Sequence, residues 1–287
     1  MWQETIAING PYHFERALER LALDPLHSVD IENKQVKVPI SNVMNQPIIA
    51  EVEGNGNLEE PLFIVRGTGE KEKTLSRLHE IFAWNTHIDK VHEHFQTTDL
   101  KALFQEHYGT PLVLDFDPFG CLLKCIIHQQ LNLAFAYKLS ERFVKEFGTE
   151  RDGVWFYPTP EKVASLNVEQ LREMQFSGRK AEYIIGLGEI VASGKVDIAE
   201  MKKMSDEEIT ARLIKIRGIG PWTVQNFLMF GLGRLNLFPM ADIGLQNALK
   251  KYYQLEEKPS QEMMGKLKQP WEPYLSYASL YLWRSIE

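Results

Sequence analysis

Two glycines separated by one apolar residue, Gly218-Ile219-Gly220, lie between two stretches of helical periodicity. This turn restricts the fold more than any other feature of the chain. A capping box, Ser205-Asp206-Glu207-Glu208, starts a helix expected to run to about Lys215, and a second helix is expected from Trp222 to Phe230, directly behind Pro221. Glycine permits so tight a reversal and lets another group approach the backbone closely. Because the second helix starts at once, its unpaired N–H groups and its dipole face the turn, where an anion fits without help from a positive side chain. Ile219 is expected to point into the core and lock the hairpin. An ordinary helix–helix connection would use the same two glycines, so the turn alone does not specify a function.

The charge around the turn is one-sided. Between Ile209 and Leu255 there are six bases (Arg212, Lys215, Arg217, Arg234, Lys250, Lys251) and a single acid, Asp242. The whole chain of 287 residues carries a formal net charge of -7, but residues 1–110 hold 17 acids against 10 Lys/Arg, while the remainder holds 22 of each. A nucleic-acid footprint needs local basic density rather than a basic chain. Hydrophobic residues make up 44% and charged residues 25%, which excludes a disordered or fibrous protein. No apolar run reaches the roughly 18 residues needed to span a bilayer, so no membrane partner is expected. The opening Met1-Trp2-Gln3-Glu4-Thr5 lacks the basic and apolar regions of a secretory signal. Only Cys121 and Cys125 occur, too few for a disulfide scaffold or a four-thiolate cluster, which suits a reducing, cytoplasmic setting. With His128 they share a helix face by spacing, and buried core thiols are expected there rather than a metal site.

Patterning divides the chain in two. Gln35 to Ile40 alternates polar and apolar residues, and Pro47 to Val52 and Pro61 to Gly67 read as further strands, while Pro11 to Leu23 has helical spacing through Phe14, Ala17, Leu18 and Leu21. From about Leu112 the pattern becomes short amphipathic helices. Phe119 to Phe147 reads as a long helical stretch with an internal polar patch at His128-Gln129-Gln130. Thr159-Pro160 and Asn167 with Gln170 start two helices, Asp242 precedes another through Tyr253, and the last is expected from Glu272 to Arg284. His87, His92 and His94 fall in a polar helical stretch and read as surface residues. The expectation is an α+β protein, with an N-terminal antiparallel sheet domain at 1–111 and an all-helical body at 112–287.

Asp242 follows Trp222 by 20 positions. Asp is an ordinary N-cap residue, and a cap and a reactive carboxylate are not exclusive. With this pairing of hairpin and acid, segment 209–254 resembles the helix-hairpin-helix DNA glycosylase superfamily, and within it the 3-methyladenine DNA glycosylase II (AlkA-type) branch. Ile126-Ile127-His128-Gln129-Gln130-Leu131, Met174 to Ala181, and Trp271 to Trp283 match further segments of that branch, so the resemblance spans about Leu112 to Trp283.

The resemblance implies a TATA-binding-protein-like sheet domain ahead of the helical body. It also implies a monomeric enzyme that acts on double-stranded DNA containing damaged bases, needs no cofactor or metal, and excises alkylated purines of the 3-methyladenine and 7-methylguanine type. Location would follow the DNA, at the nucleoid of a bacterium or in a nucleus. Asp242 would be the catalytic carboxylate. Trp222, Trp283, Tyr281 and Tyr277 would line the base pocket, where an aromatic face attracts a cationic purine. DNA would be contacted by Lys215, Arg217, Gly218, Ile219, Gly220, Thr223 and Arg179, and the gap left by the extruded base filled from Gln129-Gln130-Leu131, with Gln130 or Leu131 as the plug. Relatives that also cut the strand place Lys two positions after the second glycine; Trp222 stands there, which implies a monofunctional enzyme using water. Asn226 and Ile243 occupy positions where some branch members carry tyrosines, so the lesion range is open. An oxidised-purine glycosylase and a non-catalytic damaged-DNA-binding protein are the alternatives; Trp222 argues against the first and Asp242 against the second.

Overall fold

The computed structural model describes residues 1–41 and 47–286. It opens with strand β1 (Trp2–Ala7), helix α1 (Phe14–Ala22), and strands β2 (Ser28–Asp30), β3 (Gln35–Ile40), β4 (Ile48–Gly54) and β5 (Leu62–Gly67). The five strands form one antiparallel sheet in the order β1-β5-β4-β3-β2. Period-two patterning sorts its faces. Val36, Val52 and Val65 lie opposite one another on the buried side. On the other face Arg66 pairs with Glu53 at 2.7 Å and Glu51 at 3.3 Å. Pro39 sits inside β3 beyond residues 35–37, the part of the strand that β2 pairs with, so no β2 partner is lost to its missing N–H. Helix α1 covers the buried face with Phe14, Ala17, Leu18 and Leu21, the spacing its sequence shows. Phe14 packs edge-on against Phe63 over Gly54, where a Cβ would come within 2.5 Å of the Phe14 ring.

The chain continues through α2 (Lys71–Ile81), α3 (Ile88–Phe95), α4 (Lys101–Glu106), α5 (Pro118–His128) and α6 (Leu133–Phe147) to a small hairpin of β6 (Thr149–Arg151) and β7 (Val154–Phe156). Then come α7 (Pro160–Ala164), α8 (Val168–Glu173), α9 (Gly178–Ala192), α10 (Ile198–Met201), α11 (Asp206–Leu213), α12 (Pro221–Asn226), α13 (Ile243–Tyr252), α14 (Gln261–Leu267) and α15 (Leu275–Arg284). This is the α+β architecture that the sequence predicts, a sheet followed by a helical body. The caps are where the side chains announce them. Thr159 accepts from Lys162 N, and Asn167 with Gln170 and Ser205 with Glu208 form reciprocal capping boxes. No helix among the described residues is long and apolar enough to cross a membrane.

Several boundaries differ from expectation. The stretch 119–147 is two helices, because the Lys180 ammonium takes the carbonyls of Ile127 (2.7 Å) and Gln129 (3.0 Å) and Asn132 caps a new helix. The helix entered at Pro221 widens into a π-helix over Phe227–Gly231, and the last α-helix starts at Leu275, after a 3-10 turn at Gln269–Trp271. His92 is not a surface residue. It is buried beside Phe104 and Tyr108, accepts from Gly109 N at 3.1 Å and lies 3.1 Å from the Tyr281 hydroxyl. Burial lowers its pKa to about 4. His87 is exposed, and half-buried His94 meets the Pro270 carbonyl.

Two hydrophobic clusters form. One joins the sheet to α1, α2, Phe82, Trp84, Val113 and Phe116; the other joins the helices from α3 onward around α5. Near their junction a buried ion cluster is tied together. Lys124 pairs with Asp115 and lies 3.8 Å from Asp24. Burial alone would deprotonate Lys124, but the two carboxylates outweigh it and hold the ammonium charged. Asp115, which burial alone would push up, is held below the usual carboxylate range by Lys124.

Candidate active site

The hairpin is built as its sequence requires. Gly218 has φ +92°, and a Cβ there would lie 2.3–2.6 Å from Tyr183, so both conformation and space demand glycine. Ile219 is buried in the helical core and its N–H donates to Ile216 O at 3.0 Å. Gly220 caps α12 without a side chain, and a Cβ on it would meet nothing within 4 Å, so this end of the backbone is open. Val224 N–H returns to Gly220 O at 3.1 Å, which leaves the first amides of the helix facing outward. Lys215 and Arg217 are exposed beside it. Arg217 is engaged with Glu182 at 3.1 Å and lies over the Tyr183 ring.

Asp242 caps α13, accepting from Leu245 N at 2.8 Å. The same oxygen, Oδ1, accepts from Trp283 Nε1 at 3.0 Å, and Oδ2 accepts from Trp222 Nε1 at 3.0 Å. Both oxygens of a half-buried carboxylate are therefore fixed by neutral donors from three elements, α12, α13 and α15. No ion pair to Asp242 forms among the described residues. Gly244 makes the approach possible, since a Cβ there would lie 3.0 Å from Oδ1 and 3.3 Å from Trp283 Nε1. Ile243 is 64% exposed beside the carboxylate, and Asn226 donates to the Trp222 carbonyl at 2.8 Å.

Tyr277 and Tyr281 are not part of this group. Both are fully buried, and the Tyr281 hydroxyl donates to Thr110 O at 2.9 Å, toward His92. On α15 Trp283 meets Asp242, while Tyr281 meets His92 of α3 and Phe104 of α4. Residues 277 and 281 are core and lie apart from the Asp242 group, unlike the expected base-pocket lining. The side chain of Thr223 also turns inward. It is 1% exposed, and its hydroxyl accepts from Gln129 Nε2 at 2.9 Å.

That bond reveals a tether not visible in the sequence. Gln129 Nε2 also donates to Gly218 O at 2.8 Å, so the loop after α5 is fastened to the hairpin. Lys180 holds the same loop from α9, its pKa lowered by burial. Between these anchors Gln130 is exposed, in a left-handed conformation at φ +58°. Leu131 packs half-buried on the core, and Leu133 is 58% exposed at the start of α6. Arg179 is exposed on α9 beside Lys180. Cys121 and Cys125 are buried free thiols; mutual hydrogen bonding and burial push the Cys121 thiol up. His128 lies 3.0 Å from Ser140 Oγ, its pKa lowered by burial to about 3. Gln129 and Lys180 act through contacts some 50 to 90 positions distant, for which no local spacing is a signal.

The model of the HhH-GPD superfamily of base excision DNA repair proteins matches residues 123–273. A putative DNA-3-methyladenine glycosylase YfjP of Bacillus subtilis (strain 168) is 54% identical over 287 residues, covering 100% of both chains. The solved structure of a 3-methyladenine DNA-glycosylase from Archaeoglobus fulgidus superimposes with a TM-score of 0.84 at 25% identity, over 99% of this chain and 97% of that one. A Schizosaccharomyces pombe 3-methyladenine DNA glycosylase solved with abasic DNA has a TM-score of 0.59 at 27% identity, over 68% of this chain and 96% of its own.

Proposed function

The chain belongs to the HhH-GPD superfamily of base excision DNA repair proteins, and from that premise we propose that it is a monofunctional DNA glycosylase that excises alkylated purines from double-stranded DNA. The observation that carries the reading is the carboxylate of Asp242, held by two indole N–H groups and one backbone amide but neutralised by no cation among the described residues.

The glycosidic bond of a paired nucleotide is out of reach, so the nucleotide is turned out of the stack. The open amides at Gly220 and the exposed Lys215 hold the strand through its phosphates, Arg217 and Arg179 add charge, and Gln130 or Leu131 fills the gap. The extruded base stacks on the indole faces of Trp222 and Trp283, whose N–H edges are already committed to Asp242. As the C–N bond breaks, its electron pair leaves with the base, and a cationic alkylpurine departs neutral. Positive charge grows on the sugar and is stabilised by Asp242. Water then bonds to the anomeric carbon and gives up a proton through Asp242 to solvent, leaving an abasic site. Trp222 offers no amine for a covalent sugar adduct, and this supports the monofunctional assignment.

A division into 1–111 and 112–287 belongs to the same proposal. Each part builds a hydrophobic cluster, although Val113 and Phe116 pack with the sheet and Val91 to Phe104 with the helices. The protein acts as a monomer wherever the cell keeps its DNA.

The test is Asp242→Asn, which keeps the size and the cap acceptor but removes the charge. Single-turnover release of 3-methyladenine and 7-methylguanine from methylated duplex should fall about 100- to 1000-fold, the scale of removing one transition-state charge partner. Thermal stability should barely move. Equal rates for variant and parent would falsify the assignment, and binding without release by the parent would mark a damage-sensing protein instead.

A further inference from the structure

We propose that Gln129 is a positioning residue that joins the phosphate grip of the hairpin to the plug, so that seating the strand on the Gly220 amides sets the plug at the base pair to be opened; this rests on the glycosylase reading above. The side chain of Gln129 reaches the hairpin on both sides of Ile219-Gly220. Its Nε2 donates to Gly218 O at 2.8 Å, ahead of the turn, and to Thr223 Oγ1 at 2.9 Å, inside α12. Its main chain is held separately from α9, where Lys180 Nζ donates to the Gln129 carbonyl at 3.0 Å and to the Ile127 carbonyl at 2.7 Å. The next residue is Gln130, exposed at φ +58°. A single residue therefore links the grip to the plug.

Neither side-chain bond is easily exchanged for another. The amide nitrogen of Gln129 has two hydrogens, and both are used. Gly218 is fixed by its φ of +92° and by the Tyr183 ring packed against it. Thr223 is 1% exposed, so water does not replace the donor to its hydroxyl. Moving the plug turn relative to the hairpin breaks both bonds and leaves two acceptors short of a donor. Phosphate contacts lie away from the reacting bond. Their binding energy helps to open a pair only if it reaches the plug without the loop bending, and Gln129 carries it across the length of one side chain. The tether matters most where the pair resists, since a nucleotide without a partner leaves the stack at lower cost.

The experiment compares parent, Gln129→Met and Lys180→Gln on two duplexes, one with 7-methylguanine opposite cytosine and one with the same lesion opposite an abasic analogue. Gln129→Met keeps the length and removes both donors. It should lower single-turnover release from the paired duplex about 10- to 100-fold, the scale of a small misplacement, and from the unpaired one less than about threefold. Affinity for undamaged duplex and its salt dependence should match the parent, because the hairpin amides and Lys215 still meet the phosphates. Lys180→Gln loosens the main-chain anchor without touching the hairpin. It should show the same split to a smaller degree, and it decides alone if Gln129→Met does not fold. Equal losses on the two duplexes would show that Gln129 only shapes the hairpin and overturn the proposal, as would an undiminished rate on the paired duplex. Fluorescence of 2-aminopurine beside the lesion reads extrusion without chemistry. A parent that brightens it but releases no base sinks the glycosylase reading alone, whereas a Gln129→Met variant that brightens it as fully as the parent sinks the coupling.

Discussion

Asp242 and Asp115 are both fixed carboxylates, and their surroundings could hardly differ more. Asp115 is buried and answered by a full positive charge on Lys124, with Asp24 as a second neighbour of the same ammonium. Asp242 is half-buried and answered only by neutral N–H dipoles. A cation that satisfies a carboxylate also spends its field. Neutral donors orient a carboxylate while leaving its charge available to whatever approaches. The first arrangement stabilises a fold, and the second suits a centre that must meet developing positive charge.

The comparison can be broken first at Lys124. Lys124→Met leaves Asp115 and Asp24 buried without a counter-charge and should cost roughly 3–5 kcal/mol of stability, read by chemical denaturation. The double variant Asp115→Leu with Lys124→Met should recover much of that loss, and base release per folded molecule should stay near parental in both. A double variant as unstable as the single one would show that the pair itself is needed.

His92 supplies a third case, a buried group with no opposite charge. Its folded-state pKa of about 4 lies below the ordinary 6.5, so the unfolded chain binds the extra proton between those values. Stability should therefore fall as pH drops from about 6.5 to about 4, by up to about 3 kcal/mol from this residue, and level off below. His92→Gln, which keeps an acceptor for Gly109 N–H, should flatten that part of the pH–stability curve. An unchanged slope would mean that His92 titrates normally.

The smallest expected effect sharpens the Asp242 side. Trp283→Phe keeps an aromatic face but removes one donor from Oδ1, and should lower the single-turnover rate about tenfold with little change in affinity for abasic DNA. Combined with Asp242→Asn it should cost nothing further, because the donor acts through the carboxylate. Additive losses would place the role of Trp283 elsewhere.

What the sequence discloses follows from the range of the interactions involved. Thr159, Asn167, Ser205 and Asp242 act within one helical turn, and each is where local chemistry puts it. The left-handed Gly218 is legible because no other residue fits its φ and the Tyr183 contact. The break at Gln129–Asn132 is hidden, since it contains neither glycine nor proline and is produced by Lys180, about 50 positions downstream. Strand β1 escapes notice for a related reason. Its Trp2–Ala7 segment is an edge whose pairing partner, β5, lies 60 residues away. His92 and Tyr281 mislead because polar or half-polar residues look available in one dimension, whereas tertiary packing has already buried them and engaged their hydrogen-bonding groups. Of the candidate site, the acid and its two tryptophans come together; the tethers that hold the neighbouring loop require the third dimension.

The doubly anchored turn around Gln130 has a consequence for search. Its shape is settled when the chain folds, through Lys180 on one side and Gln129 on the other, so touching DNA demands no fresh loss of loop entropy. In the proposed reading, in which Gln130 or Leu131 fills the gap of an extruded base, such a stiff fingertip would be pressed against one base step after another and withdrawn unchanged. On that reading the time spent at an intact pair would be governed by how readily that pair yields rather than by how quickly the protein rearranges.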